Sequence, residues 1–108
     1  MPKVDVAAPD LQTVREILRR HVPTRKVVAF GSRVTGRAKP FSDLDLAIMG
    51  EDAVPSATLA ALADDFDESA LPFKVDLVDW ATIVDSFRDV IRRDAVTLQD
   101  SAAIPGDA

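Results

Sequence analysis

The stretch GSRVTGRAKPFSDLDLAI, residues 31–48, decides how the rest of the chain is read. It opens with a glycine and a serine, carries three basic residues (Arg33, Arg37 and Lys39), and ends on an apolar run interrupted by two aspartates, Asp43 and Asp45. In Asp43–Met49, Leu44, Leu46 and Ile48 share one face of an extended segment, while Asp43, Asp45 and Ala47 share the other. Residues two apart on a strand emerge on the same side, about 7 Å apart at a rise of roughly 3.3 Å per residue. Two bare carboxylates that close repel each other, and an oxygen-loving divalent cation such as Mg²⁺ is the natural counter-ion.

Working outward, Lys26–Phe30 is a short apolar run ending at Gly31, as expected of a central strand buried on both faces. Residues 32–37 are expected to form a short helix that Pro40 ends. A glycine at a strand end lets a backbone approach an anion, and a following helix start offers free N–H groups. Ser32 adds a hydroxyl and Arg33 and Arg37 add charge, so a polyphosphate fits between this corner and the acids.

Further along, Phe73, Val75 and Leu77 alternate with Lys74, Asp76 and Val78, which predicts a third strand with a lone acid on its non-core face. If this strand neighbours the second, Asp43, Asp45 and Asp76 meet over the sheet. Two Mg²⁺ ions about 4 Å apart would then be able to clamp the attacking and leaving oxygens of a phosphoryl-type displacement.

Helical spacing predicts helices at about 10–22 (Leu11, Val14, Ile17, Leu18, Val22), 56–69 (Leu59, Leu62, Ala63, Phe66) and 81–93 (Ile83, Phe87, Val90 or Ile91), with residues 95–98 closing the domain. The fold class is α/β: a small mixed sheet with helices packed on it. The expected organisation is a loose arm at 1–9, one domain at 10–98 and a tail at 99–108.

Composition narrows the function. At 108 residues the chain holds one core, and 47% hydrophobic with 29% charged residues is ordinary for a folded domain. With no cysteine, thiol nucleophiles, disulfides and zinc ribbons are excluded, and any metal is held by oxygen. Net charge is −5, which argues against direct nucleic-acid binding, yet residues 1–42 carry nine Lys/Arg against three acids and residues 43–108 four against fifteen. The sign changes within the opening stretch. No run approaches the roughly 18 apolar residues of a membrane helix, so no membrane partner is expected and the reading is cytoplasmic.

Taken alone, Gly-Ser is an ordinary turn and Asp-x-Asp an ordinary surface feature. Their conjunction at this spacing, followed by FKVDLVDW (73–80), resembles the minimal nucleotidyltransferase (MNT) branch of the DNA polymerase beta-like nucleotidyltransferases. The family's hallmark is Gly-Ser, ten residues, Asp-x-Asp, then a later acid; the resemblance covers about residues 10–98. It implies the polymerase beta-like fold, with Gly31 and Ser32 on the triphosphate of a nucleotide, Asp43 and Asp45 on Mg²⁺, and Asp76 completing the catalytic metal site and helping ionise the attacking hydroxyl. Arg33, matching the arginine that commonly follows Gly-Ser, is expected to contact phosphate.

The resemblance further implies transfer of AMP from ATP to a hydroxyl of a partner protein, a HEPN-domain ribonuclease toxin for which such proteins act as antitoxins. The rival is a non-catalytic antitoxin that neutralises by binding; three acids crowded on one sheet face disfavour it. Transfer to a small molecule is disfavoured because the chain has no room for a second gripping domain.

Other residues are read more plainly. His21 is expected at the surface or capping the first helix, Asp79 capping the helix that follows the third strand, Trp80 in packing, and the acids of residues 64–68 in solvent.

Overall fold

A computed structural model describes residues 4–101. Helix α1 (Ala8–His21) leads into strand β1 (Val27–Phe30), a four-residue helix α2 (Ser32–Thr35) and strand β2 (Leu44–Ile48). Helix α3 (Ser56–Glu68), strand β3 (Val75–Asp79), a 3₁₀ turn (Trp80–Thr82), helix α4 (Asp85–Asp94) and strand β4 (Val96–Gln99) follow. The sheet is mixed, in the order β3-β2-β1-β4: β1 pairs antiparallel with both β2 and β4, whereas β2 and β3 run parallel. A parallel pair needs a crossover, and α3 supplies it.

The alternation in β2 sorts the sheet into two faces. Leu44, Leu46 and Ile48 are completely buried in one cluster with Val14, Ile17 and Leu18 of α1 and Leu62 and Phe66 of α3. Each fully buried leucine or isoleucine there contributes about 1.5–3 kcal/mol relative to exposure. On the other face Ala47 joins Val28, Phe30 and Ile91, with Phe87 and Trp80 packed alongside. That second layer is thinner, covered among the described residues by the 3₁₀ turn and α4, and the acids emerge at the β2–β3 end of the sheet.

The structure departs from expectation in three places. Helix α1 starts at Ala8 rather than at about residue 10, which makes Asp10 a first-turn acid, favourable to the helix dipole. The single helix expected at 81–93 is split: the Asp79 side chain accepts from Ala81 N–H and Thr82 Oγ1 donates to the Asp79 carbonyl, closing one tight turn before α4 begins. Residues 4–7 are not a loose arm, because Asp5 N–H donates to the Arg33 carbonyl and Asp5 O accepts from the Arg33 guanidinium. Residues 1–3 of that arm, and 102–108 of the expected tail, lie outside the described residues; Gln99 belongs to β4 and ties it down by donating to the Val22 and Arg25 carbonyls.

Candidate active site

Strand β1 delivers the chain to Gly31, whose φ of 81° and ψ of −156° lie in a region nearly closed to residues with a Cβ. Space excludes a side chain as well: a Cβ at Gly31 would overlap Oδ2 of Asp45. The Gly31 carbonyl accepts from the N–H groups of Val34 and Thr35, which closes α2 and leaves its first N–H groups, at Ser32 and Arg33, without helical acceptors. Ser32 is half-buried at this corner.

Register supplies the rest. Asp45 is the antiparallel partner of Phe30 and the parallel partner of Asp76, so the two carboxylates occupy the same level on neighbouring strands about 4.8 Å apart. Asp43 lies one residue before β2, where the ladder continues through Leu44 N–H to the Lys74 carbonyl. Asp45 is half-buried; Asp43 and Asp76 are exposed. Among the described residues none of the three forms a salt bridge. Burial, then the charges of Asp76 and Asp43, push the Asp45 carboxyl above its usual range.

The three acids are near enough to feel one another, yet among the described residues no three acidic or histidine side chains stand close enough, as they are, to hold an ion. Uncompensated carboxylates repel one another, and holding one ion between these three would require side-chain rotation. Their chemistry fits a hard divalent cation: all-oxygen, unpaired with any basic group, one of them protonated more readily than a free carboxylate. Beside Asp43 a surface depression of about 860 Å³ opens, walled by Phe41, Phe66, Leu71, Phe73 and Lys74. Another, of about 480 Å³ and lined by Arg25, Lys26, Met49 and Glu51 among others, lies at the opposite end of the strands, remote from the acids.

Arg33 corrects the sequence reading. It is only 6% exposed, and its three nitrogens donate to the carbonyls of Ser42 (2.9 Å), Asp5 (2.8 Å) and Pro40 (3.1 Å), with the guanidinium 4.3 Å over the Phe73 ring. Buried, and with each of its three nitrogens bonded to a backbone carbonyl, the guanidinium is turned into the protein rather than toward a phosphate at the Gly31–Ser32 corner. One residue along a helix is a turn of about 100°, which carries Arg33 inward from the corner that Ser32 occupies.

The remaining singled-out residues are structural. Asp79 is buried and accepts from Val54 N–H as well as Ala81 N–H. His21 caps no carbonyl: its Nε2 is 2.8 Å from Oδ2 of Asp65, which Arg20 also contacts, so the acidic face of α3 is partly neutralised by α1. Trp80 packs against the second core cluster with Arg88 and Arg92 about 5 Å from its ring centroid.

A glycine corner opening a helix beside two strand-borne acids in register defines a nucleotidyltransferase. The chain belongs to the nucleotidyltransferase domain family, whose model matches residues 11–98. It is 45% identical over 98 residues to the probable protein adenylyltransferase MntA of Haemophilus influenzae, spanning 91% of this chain and 86% of that relative. Its fold is that of a toxin–antitoxin crystal structure with AMP-PNP (TM-score 0.70, 24% identity, 90% of this chain and 76% of the other). A similar match is the complex of a tri-AMPylated Shewanella oneidensis HEPN toxin with MNT antitoxin (TM-score 0.65, 24% identity, 85% and 71%).

Proposed function

We propose that this chain is a protein adenylyltransferase that moves AMP from ATP to a hydroxyl of a HEPN-type toxin, and so acts as the antitoxin of the pair. The observation that carries the reading is the Asp45 carboxylate lodged against the backbone of Gly31 and level with Asp76, in a chain 45% identical to a probable protein adenylyltransferase. That arrangement sets a phosphate-accepting corner against a cluster of negative charge. A triphosphate, itself anionic, joins them only through cations.

In this reading Gly31 and Ser32 receive the triphosphate through backbone N–H groups and the Ser32 hydroxyl. Asp43, Asp45 and Asp76 hold Mg²⁺, two ions by the chemistry of the reaction. Bound there, the metal would neutralise charge on the α-phosphate and on the leaving pyrophosphate. Asp76, exposed on β3, helps draw the proton from the acceptor hydroxyl. The hydroxyl oxygen bonds to the α-phosphorus as the bond to pyrophosphate breaks. Catalysis is then positioning and electrostatics rather than covalent chemistry by the protein. Among the described residues no helix is long and apolar enough to cross a membrane, in keeping with action in the cytoplasm, where ATP is available.

The test is incubation with ATP labelled at the α-phosphate, Mg²⁺ and the HEPN-type partner. Label on the partner supports the transferase. A tight complex that stays unlabelled at every ATP and Mg²⁺ concentration overturns it in favour of neutralisation by binding.

A further inference from the structure

A buried cation with no carboxylate beside it is costly unless its hydrogen-bonding groups are all satisfied. Among the described residues Arg33 pairs with no acid; three carbonyls and an aromatic face compensate it instead. What those partners have in common is place. Pro40 and Ser42 belong to the turn that immediately precedes Asp43, a turn closed by Ser42 N–H to the Lys39 carbonyl (3.0 Å) and Lys39 N–H to Ser42 Oγ (2.8 Å). Phe73 sits two residues before β3, the strand that carries Asp76. Asp5 belongs to the N-terminal segment, whose own N–H returns a bond to the Arg33 carbonyl at 2.6 Å. Arg33 itself is the second residue of the helix that opens at the Gly31–Ser32 corner.

We propose that Arg33 is a positioning residue for nucleotidyl transfer: its guanidinium locks the turn before Asp43 and the approach to β3 onto the helix that begins at Ser32. The inference rests on the function argued above. Between Gly36 and Asp43 the chain has no helix or strand, so the β2 ladder fixes Leu44 onward while the place of Asp43 depends on the turn before it. A planar fork that grips two carbonyls of one turn removes that freedom in a way a single ammonium cannot. The N-terminal segment takes the third side, with the Asp5 carbonyl accepting from the guanidinium and the Asp5 N–H donating to the Arg33 carbonyl.

The experiment compares wild type, Arg33→Met, Arg33→Lys and Asp45→Asn as full-length proteins well below their melting temperatures. It follows Mn²⁺ binding by electron paramagnetic resonance in the presence of AMP-PNP, and transfer to the partner with KM and kcat separated. Folded Arg33→Met is expected to bind Mn²⁺ at least tenfold more weakly and to lose kcat at least tenfold, with KM for ATP changed less; Arg33→Lys is expected to fall between it and wild type. If Arg33→Met does not fold, Arg33→Lys carries the test, with a loss of at least threefold in Mn²⁺ affinity expected. A folded Arg33→Met, or in its absence a folded Arg33→Lys, that matches wild-type Mn²⁺ affinity and kcat overturns the proposal while leaving the transferase intact. Wild type that neither binds Mn²⁺ more tightly than Asp45→Asn nor transfers AMP overturns the functional reading, and the role of Arg33 with it.

Discussion

Replacing Gly31 by alanine separates two demands that the structure makes at one position. The backbone there, at φ 81° and ψ −156°, lies where only glycine is at ease, and forcing another residue into it costs about 1–3 kcal/mol. The added methyl would also overlap Oδ2 of Asp45 and press on its Cγ at 3.2 Å, an overpacking cost of about 1–3 kcal/mol more. A combined loss of about 3 kcal/mol lowers the melting temperature of a domain this size by roughly 12–24 °C. Gly36 serves as the control: it also has positive φ (82°), but a Cβ there meets nothing within 4 Å, so Gly36→Ala is expected to cost only about 1–2 kcal/mol. A double-mutant cycle isolates the overlap, because Asp45→Ala removes the carboxylate and leaves the backbone term. The assay is urea or thermal unfolding of Gly31→Ala in both backgrounds, and the penalty should shrink by about 1–3 kcal/mol when Asp45 is absent. An equal penalty in both backgrounds would refute the claim that the Asp45 carboxylate rests on the Gly31 backbone.

Three further outcomes are expected. Asp45 has a raised folded-state pKa, so its ionisation costs stability: the cost is absent below the unfolded value near 3.8 and is fully present above the raised folded one. Asp45→Asn should therefore melt higher than wild type at neutral pH, with the gap closing as pH falls through that window. Asp65 behaves oppositely, since hydrogen bonds from His21 and Arg20 lower its pKa; its contribution is present above about 3.8 and fades as pH drops through the folded value. Asp65→Asn should thus melt lower than wild type at neutral pH and converge with it in acid. Leu62, fully buried between α3 and the sheet, should cost about 2–5 kcal/mol when cut to alanine, seen as a lower urea midpoint with an unchanged slope.

Local pattern carried much of this into view. The period of two in Leu44–Leu46–Ile48 against Asp43–Asp45 is an energetic statement, because slipping it by one residue would bury both acids, and the structure keeps that register. Asp76 was legible as a non-core acid for the same reason, but its levelness with Asp45 depends on which strands pair and in which direction, and that is settled by the α3 crossover rather than by residues 73–78. Arg33 was misread because composition reports a charge without its direction: two of its partners, at positions 5 and 73, are distant in sequence, those at 40 and 42 lie in an irregular turn, and only the closed fold turns the guanidinium inward. The same limit hid the pairing of Asp65 with His21 and Arg20, 44 and 45 residues away.

The convergence of Asp43, Asp45 and Asp76 beside Gly31 and Ser32 is tested most directly by the anomalous scattering of Mn²⁺ in crystals grown with AMP-PNP. Strong peaks bridging all three carboxylates, with the triphosphate on the Gly31–Ser32 backbone, are the predicted result. Peaks that miss Asp76, or a triphosphate seated away from that corner, would contradict it.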